Sequence, residues 1–106
     1  MPSITPESLR DKITNEEDLQ LIDVRMPFER GEFHIGGLHL PLQDIFDHLH
    51  LIATDKPVVI YCQKGIRSMI AIQRMEERHG FANLINLSGG IEGWKKMIKN
   101  NTCASQ

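Results

Sequence analysis

Short, uninterrupted apolar runs alternate along this chain with segments that carry helical punctuation, and that alternation limits the folds open to it. Asp18 to Val24 contains Leu19, Leu21, Ile22 and Val24, Pro57 to Tyr61 is apolar from Val58 onward, Leu84 to Leu87 forms a third run, and Leu38 to Pro41 a weaker one. Such runs suit strands covered on both faces. Thr5 followed by Pro6 reads as an N-cap with proline in the first helical turn, with Leu9 and Ile13 supplying apolar positions behind it. Leu42 to Leu51 reads as a short helix, and Ser68 to His79 as a helix stopped by Gly80. Ser88-Gly89-Gly90 makes a tight turn into a last helix, Ile91 to about Lys99, followed by a polar tail from Asn100 to Gln106. Strands separated by helices pair in parallel, so the expected fold class is α/β, a mostly parallel central sheet flanked by helices.

The run Val58-Val59-Ile60-Tyr61 leads straight into Cys62-Gln63-Lys64-Gly65-Ile66-Arg67-Ser68. Ligand sites of parallel sheets lie beyond the carboxyl ends of the strands, which is where this order puts Cys62. Loop amides curled around the sulfur, the unpaired amides of the following helix, and the charges of Lys64 and Arg67 all favour thiolate, the nucleophilic form. A buried cysteine at a strand end is the plainer reading, since cysteine packs as a small hydrophobe. That reading leaves Lys64, Gly65, Arg67 and Ser68 without a reason.

The 106 residues suffice for one domain, here expected over 1–106 with a flexible tail from about residue 100. A net charge of −2 without a basic stripe argues against nucleic acid as a partner. Neither a secretory signal nor a bilayer-spanning run is present, so no membrane association is expected. Cys62 and Cys103 do not form a disulfide framework, which fits a reducing, cytoplasmic setting.

With these segments in order, the chain resembles the rhodanese family over nearly its whole length. Leu21-Ile22-Asp23-Val24-Arg25 resembles the first signature strand, Glu29 with His34-Ile35-Gly36-Gly37 the second stretch, and the Cys62 loop the active-site loop. Leu87-Ser88-Gly89-Gly90-Ile91-Glu92-Gly93-Trp94 resembles the C-terminal signature. Phe33 and Leu38 depart from the family's usual Gly and Ala. The resemblance implies the three-layer rhodanese-like fold and a sulfurtransferase without a metal or organic cofactor.

Four residues separate Cys62 from Arg67, one fewer than in related phosphatases. The smaller socket suits sulfur riding on cysteine better than a tetrahedral phosphate. The implied mechanism is a ping-pong transfer in which Cys62 takes the outer sulfur of a small-molecule donor such as thiosulfate and becomes a persulfide. A thiol, a sulfur-carrier protein or, in an assay, cyanide then accepts it. Backbone amides from Gln63 to Ser68 would hold the persulfide, with Gly65 letting the loop curl, Ile66 completing it, and Lys64 attracting the donor's sulfonate. Arg67 either binds the donor or braces the loop through a salt bridge. Ser68 reads as the first helical residue, its hydroxyl within reach of the sulfur. Asp23 and Arg25 resemble the family's supporting pair beneath the loop. The second basic residue that two-domain thiosulfate enzymes bring from the segment near Glu29 has no match here.

His34 is expected to hydrogen-bond within its own turn, and His48 and His50 lack companions at metal-ligand spacing. Trp94 reads as core with Ile91 and Met97, and Met69, Ile72 and Met75 give the helix after the loop an apolar stripe. Two other readings stay open. One is a sulfur-relay module serving an enzyme that activates sulfur-carrier proteins; the other is a thiol-redox or arsenate-reducing enzyme in which Cys103 resolves an adduct on Cys62.

Overall fold

A computed structural model describes residues 2–104, with side chains for 2–100. Its strands are β1 (Ser3–Ile4), β2 (Gln20–Asp23), β3 (Leu38–His39), β4 (Val58–Tyr61) and β5 (Leu84–Leu87), and its helices α1 (Pro6–Thr14), α2 (Pro27–Glu32), α3 (Ile66–His79) and α4 (Gly90–Ala104). The five strands form one sheet in the order β1-β5-β4-β2-β3, every pair parallel.

All residues of the central strand β4 are buried, which is why its sequence is apolar without alternation. Successive side chains point to opposite faces. Val58 and Ile60 pack with Ile72 and Met75 of α3 and with Ile45 and Ile52, while Val59 and Tyr61 pack with Leu9 of α1 and Ile91, Trp94 and Met97 of α4. Two cores, one on each face, make the three layers. Removing such side chains from water contributes roughly 1.5–3 kcal/mol each.

The helix ends follow the sequence punctuation. Thr5 Oγ1 accepts the Ser8 N–H at 3.1 Å to start α1, and Gly80 stops α3 at φ +70°.

Several expectations need correction. Leu42 to Leu51 is not an α-helix but contains two 3₁₀ turns, Ile45–Asp47 and Leu49–Leu51. Asp44 and Ile45 both donate to the Pro41 carbonyl, and the later bonds from Asp47, His48, Leu51 and Ile52 reach only three residues back. The tighter path carries Ile45 and Ile52 into the core. Helix α3 begins at Ile66 rather than Ser68, because Gly65 in the left-handed region makes the turn earlier. Met69 is exposed: Ser68, Ile72 and Met75 share the inward face, and Met69 stands about 100° around from Ser68. Ile13 is exposed as well, leaving Pro6 and Leu9 as the buried part of α1. Helix α4 runs on to Ala104 instead of ending near Lys99, since no Gly or Pro interrupts it there. The Cys103 side chain and residues 105–106 lie outside the described residues.

Two elements have no counterpart among the runs and helices expected above. β1 is a two-residue edge strand against β5, and α2 is a six-residue helix opened by Pro27 and held by Glu29, whose carboxylate accepts the Met26 N–H at 3.0 Å. Among the described residues, no helix is long and apolar enough to cross a membrane.

Candidate active site

Cys62 sits at the carboxyl end of β4, free and 1% exposed. The chain leaves the strand there and must turn into α3 within three residues. The loop is held from outside by α4, whose first amides, Ile91 and Glu92, donate to the carbonyls of Cys62 and Gln63 at 2.9 and 3.1 Å. This approach requires glycine at position 90. Gly90 has φ +60°, and a Cβ there would lie 2.5 Å from the Cys62 carbonyl oxygen and 2.6 Å from that of Gln63.

The sulfur itself is held by its own loop. The Gly65 N–H donates to Cys62 Sγ at 3.0 Å and the Ser68 N–H at 3.4 Å. Among the described residues, these are the two amides of the Gln63 to Ser68 stretch that bond the Cys62 sulfur. Gly65 reaches the sulfur because its φ of +94° turns the amide inward. Both amides direct the positive ends of their dipoles at the sulfur.

Ser68 Oγ lies 3.4 Å from Sγ and also donates to Asn86 Oδ1. Asn86 Nδ2 donates in turn to the Gly65 carbonyl at 3.2 Å. Asn86 of β5 thus grips both residues that contact the sulfur, a role that sequence reasoning missed. Its one signal was a polar residue inside an apolar strand.

Arg67 braces the loop. Its two terminal nitrogens each donate to one oxygen of Glu29 at 2.8 Å, a bidentate pair between α3 and α2. The Arg67 hydrogen bonds, assisted by the Met26 N–H and opposed by partial burial, hold the Glu29 carboxyl down at about 2. Glu29 reciprocally raises the Arg67 guanidinium.

Asp23 and Arg25 lie beneath the loop, both buried. Arg25 Nε and Nη2 donate to the two Asp23 oxygens at 3.0 and 3.1 Å, Nη1 reaches the Gln63 side chain at 3.1 Å, and Nη2 also bonds the Phe33 carbonyl. The guanidinium stands 5.6 Å from the Tyr61 ring centre. The nearby basic residue of α2, Arg30, turns away from Cys62, toward Asp23 at 3.4 Å and the Gly37 carbonyl at 2.8 Å.

A cavity of about 230 Å³ opens over the sulfur, lined by Glu29, Cys62, Gln63, Lys64, Ile66 and Arg67. Lys64 is exposed and, among the described residues, makes no hydrogen bond or ion pair. With Arg67 committed to Glu29, Lys64 is the uncompensated cation of this lining. His34 lies apart: its Nδ1 accepts the Gly36 N–H at 2.9 Å. No cluster of three or more His, Cys, Asp or Glu side chains among the described residues could hold a metal ion. Chemically, the arrangement offers a buried thiol with amides to stabilise an anion and a small, cationic entrance.

A family model for the rhodanese-like domain matches residues 5–97. The chain is 36% identical over 94 residues to a protein named Sulfurtransferase from Allochromatium vinosum, covering 88% of this chain and 87% of that one. It is 35% identical over 100 residues to Mycobacterium tuberculosis MoeZ, named Probable adenylyltransferase/sulfurtransferase, covering 92% of this chain but spanning only 25% of that protein's length. A crystal structure of a rhodanese-like domain protein from Staphylococcus aureus superposes with a TM-score of 0.80 at 26% identity, covering 89% and 91% of the two chains. With that family model covering residues 5–97, the chain belongs to the rhodanese-like domain family.

Proposed function

We propose that this protein moves sulfane sulfur from an anionic donor such as thiosulfate to a thiophilic acceptor through a persulfide on Cys62. The Cys62 thiolate attacks the outer sulfur of thiosulfate. A new S–S bond forms as the donor's S–S bond breaks, and sulfite leaves with the electron pair. A nucleophilic acceptor then takes the outer sulfur, and the second electron pair returns to Cys62 as thiolate. The backbone amides of Gly65 and Ser68 hold the anionic sulfur in both states, Gln63 positions the loop on Arg25, Ile66 forms one wall, and Lys64 draws in the donor. Asp23, Arg25 and Arg67 keep the loop in shape without touching the reacting atoms.

The observation that carries this reading is the pairing of Arg67 with Glu29. A site for phosphate ester hydrolysis would aim its guanidinium fork at the oxyanion and place a free carboxylic acid near the leaving group. Here the two groups consume one another, leaving a compact sulfur cradle. A free thiol that cycles through persulfide also suits a reducing, cytoplasmic compartment. A second reading, a relay module within a larger assembly, is favoured by the match to a quarter of MoeZ.

The test is intact mass after thiosulfate treatment and removal of excess donor. A gain of about 32 Da that requires Cys62 and disappears with cyanide supports the proposal. A gain that survives in Cys62→Ser, or none from thiosulfate or any persulfide donor, overturns it.

A further inference from the structure

Beside the Cys62 cavity lies a second, larger one of about 380 Å³ that the transfer from thiosulfate does not use. Met26, Leu42 and Phe46 give it apolar walls, and Gln43, Arg67 and Arg74 give it a polar edge. Arg67 lines both cavities, so they adjoin at that side chain.

The two arginines differ in charge balance. Arg67 is neutralised by the bidentate Glu29, whereas Arg74 is exposed and, among the described residues, has no hydrogen bond or ion pair. No carboxylate lines the larger cavity. Seven residues are nearly two full helical turns, so α3 presents Arg67 and Arg74 on one side, about 10 Å apart along its axis. From the sulfur outward, the order is therefore a nucleophile, a neutralised arginine, an apolar trough and an unneutralised guanidinium. A guanidinium beside an apolar surface recognises a carboxylate at the end of a hydrocarbon stem.

We infer that the larger cavity is the acceptor's subsite and takes a small thiol whose apolar stem ends in a carboxylate. This rests on the persulfide reading above. The acceptor's stem lies along Met26, Leu42 and Phe46, its carboxylate meets Arg74, and its sulfur reaches past Arg67 to Cys62. The acceptor thiolate attacks the outer sulfur of the persulfide. One S–S bond forms while the Cys62 S–S bond breaks, Cys62 recovers the electron pair, and the acceptor departs as a persulfide without any external oxidant.

The experiment first loads the full chain with thiosulfate, verifies the persulfide by mass, and then follows discharge by three acceptors. 6-Mercaptohexanoate and 6-mercaptohexanol share thiol and stem but differ in the carboxylate, and cyanide needs neither. In the wild type, half-saturation comes at lower concentration for the acid than for the alcohol. Arg74→Gln raises the acid's half-saturating concentration about three- to fivefold, as expected for an exposed ion pair, and leaves the alcohol and cyanide unchanged. Leu42→Trp, which fills the trough, slows discharge by both thiols but not by cyanide. Equal response of acid and alcohol to Arg74→Gln overturns the subsite, as does unimpaired thiol discharge in Leu42→Trp. Failure to load from thiosulfate or from any persulfide donor would instead overturn the persulfide reading, so the two failures are distinguishable.

Discussion

The Ser68 hydroxyl gives its proton to Asn86 Oδ1, so toward the neighbouring Cys62 sulfur, 3.4 Å away, it turns a lone pair. The orientation of Asn86 follows from its other end, where Nδ2 must donate because the Gly65 carbonyl can only accept. One amide side chain therefore fixes the polarity of the hydroxyl and the position of the loop glycine together.

That coupling predicts non-additive substitutions. Ser68→Ala leaves Asn86 Oδ1 without its donor and Asn86→Ala strips partners from both Ser68 and Gly65, each at a cost of about 1–3 kcal/mol. The double variant should cost less than the sum by about 1 kcal/mol. Urea unfolding of the four proteins measures this; strict additivity would mean the two side chains act separately.

Glu29 gives a pH signature with a definite sign. Its carboxyl is held at about 2, below its ordinary 4.5, so the folded protein binds that proton less readily than the unfolded chain. The resulting stabilisation is complete above the ordinary carboxylate range and is lost as pH falls toward 2. Glu29→Gln should be less stable than wild type at neutral pH, with the gap closing in acid. Thermal melts from pH 7 downward would show it, and a gap independent of pH would refute the assignment.

Lys64 is the free cation at the entrance, so Lys64→Ala should raise KM for thiosulfate severalfold while changing kcat little. Raising ionic strength should weaken the wild type's thiosulfate use more than the variant's. Steady-state kinetics at two salt concentrations decide it.

Gly90→Ala places a methyl group against the Cys62 and Gln63 carbonyls at a backbone angle that L-residues disfavour. We expect a loss of about 2 kcal/mol or more and slower loading of Cys62, because α4 can no longer seat on the loop. Unfolding midpoints and mass-detected loading rates test both. Gly31→Ala, with nothing within 4 Å of the added carbon, is the matching control.

The parts of the fold that read plainly from sequence are those with a local cause. β4 is apolar because both its faces are covered, and the order of runs and helix stops was enough to place Cys62 at a strand's carboxyl end. The Leu42 to Leu51 segment misled because its apolar residues have helical spacing, while the hydrogen bonds actually made around Pro41 shorten the turn. The pairing of Glu29 with Arg67 was not legible in the sequence because the two lie 38 positions apart, a contact set by how α2 meets α3. Asn86 gave even less warning, since a single polar residue in a strand does not say which neighbour it serves.

β4 has a hydrogen-bonded neighbour on either side and no residue in contact with solvent. A strand in that position is expected to open only when the sheet does, so the sulfur is mounted at the end of a strand held on both sides. Lys64 and Ile66, by contrast, stand exposed in the lining of the cavity above it. Substitutions at these two positions can therefore change which molecules arrive at the sulfur while its coordinates stay where the core holds them.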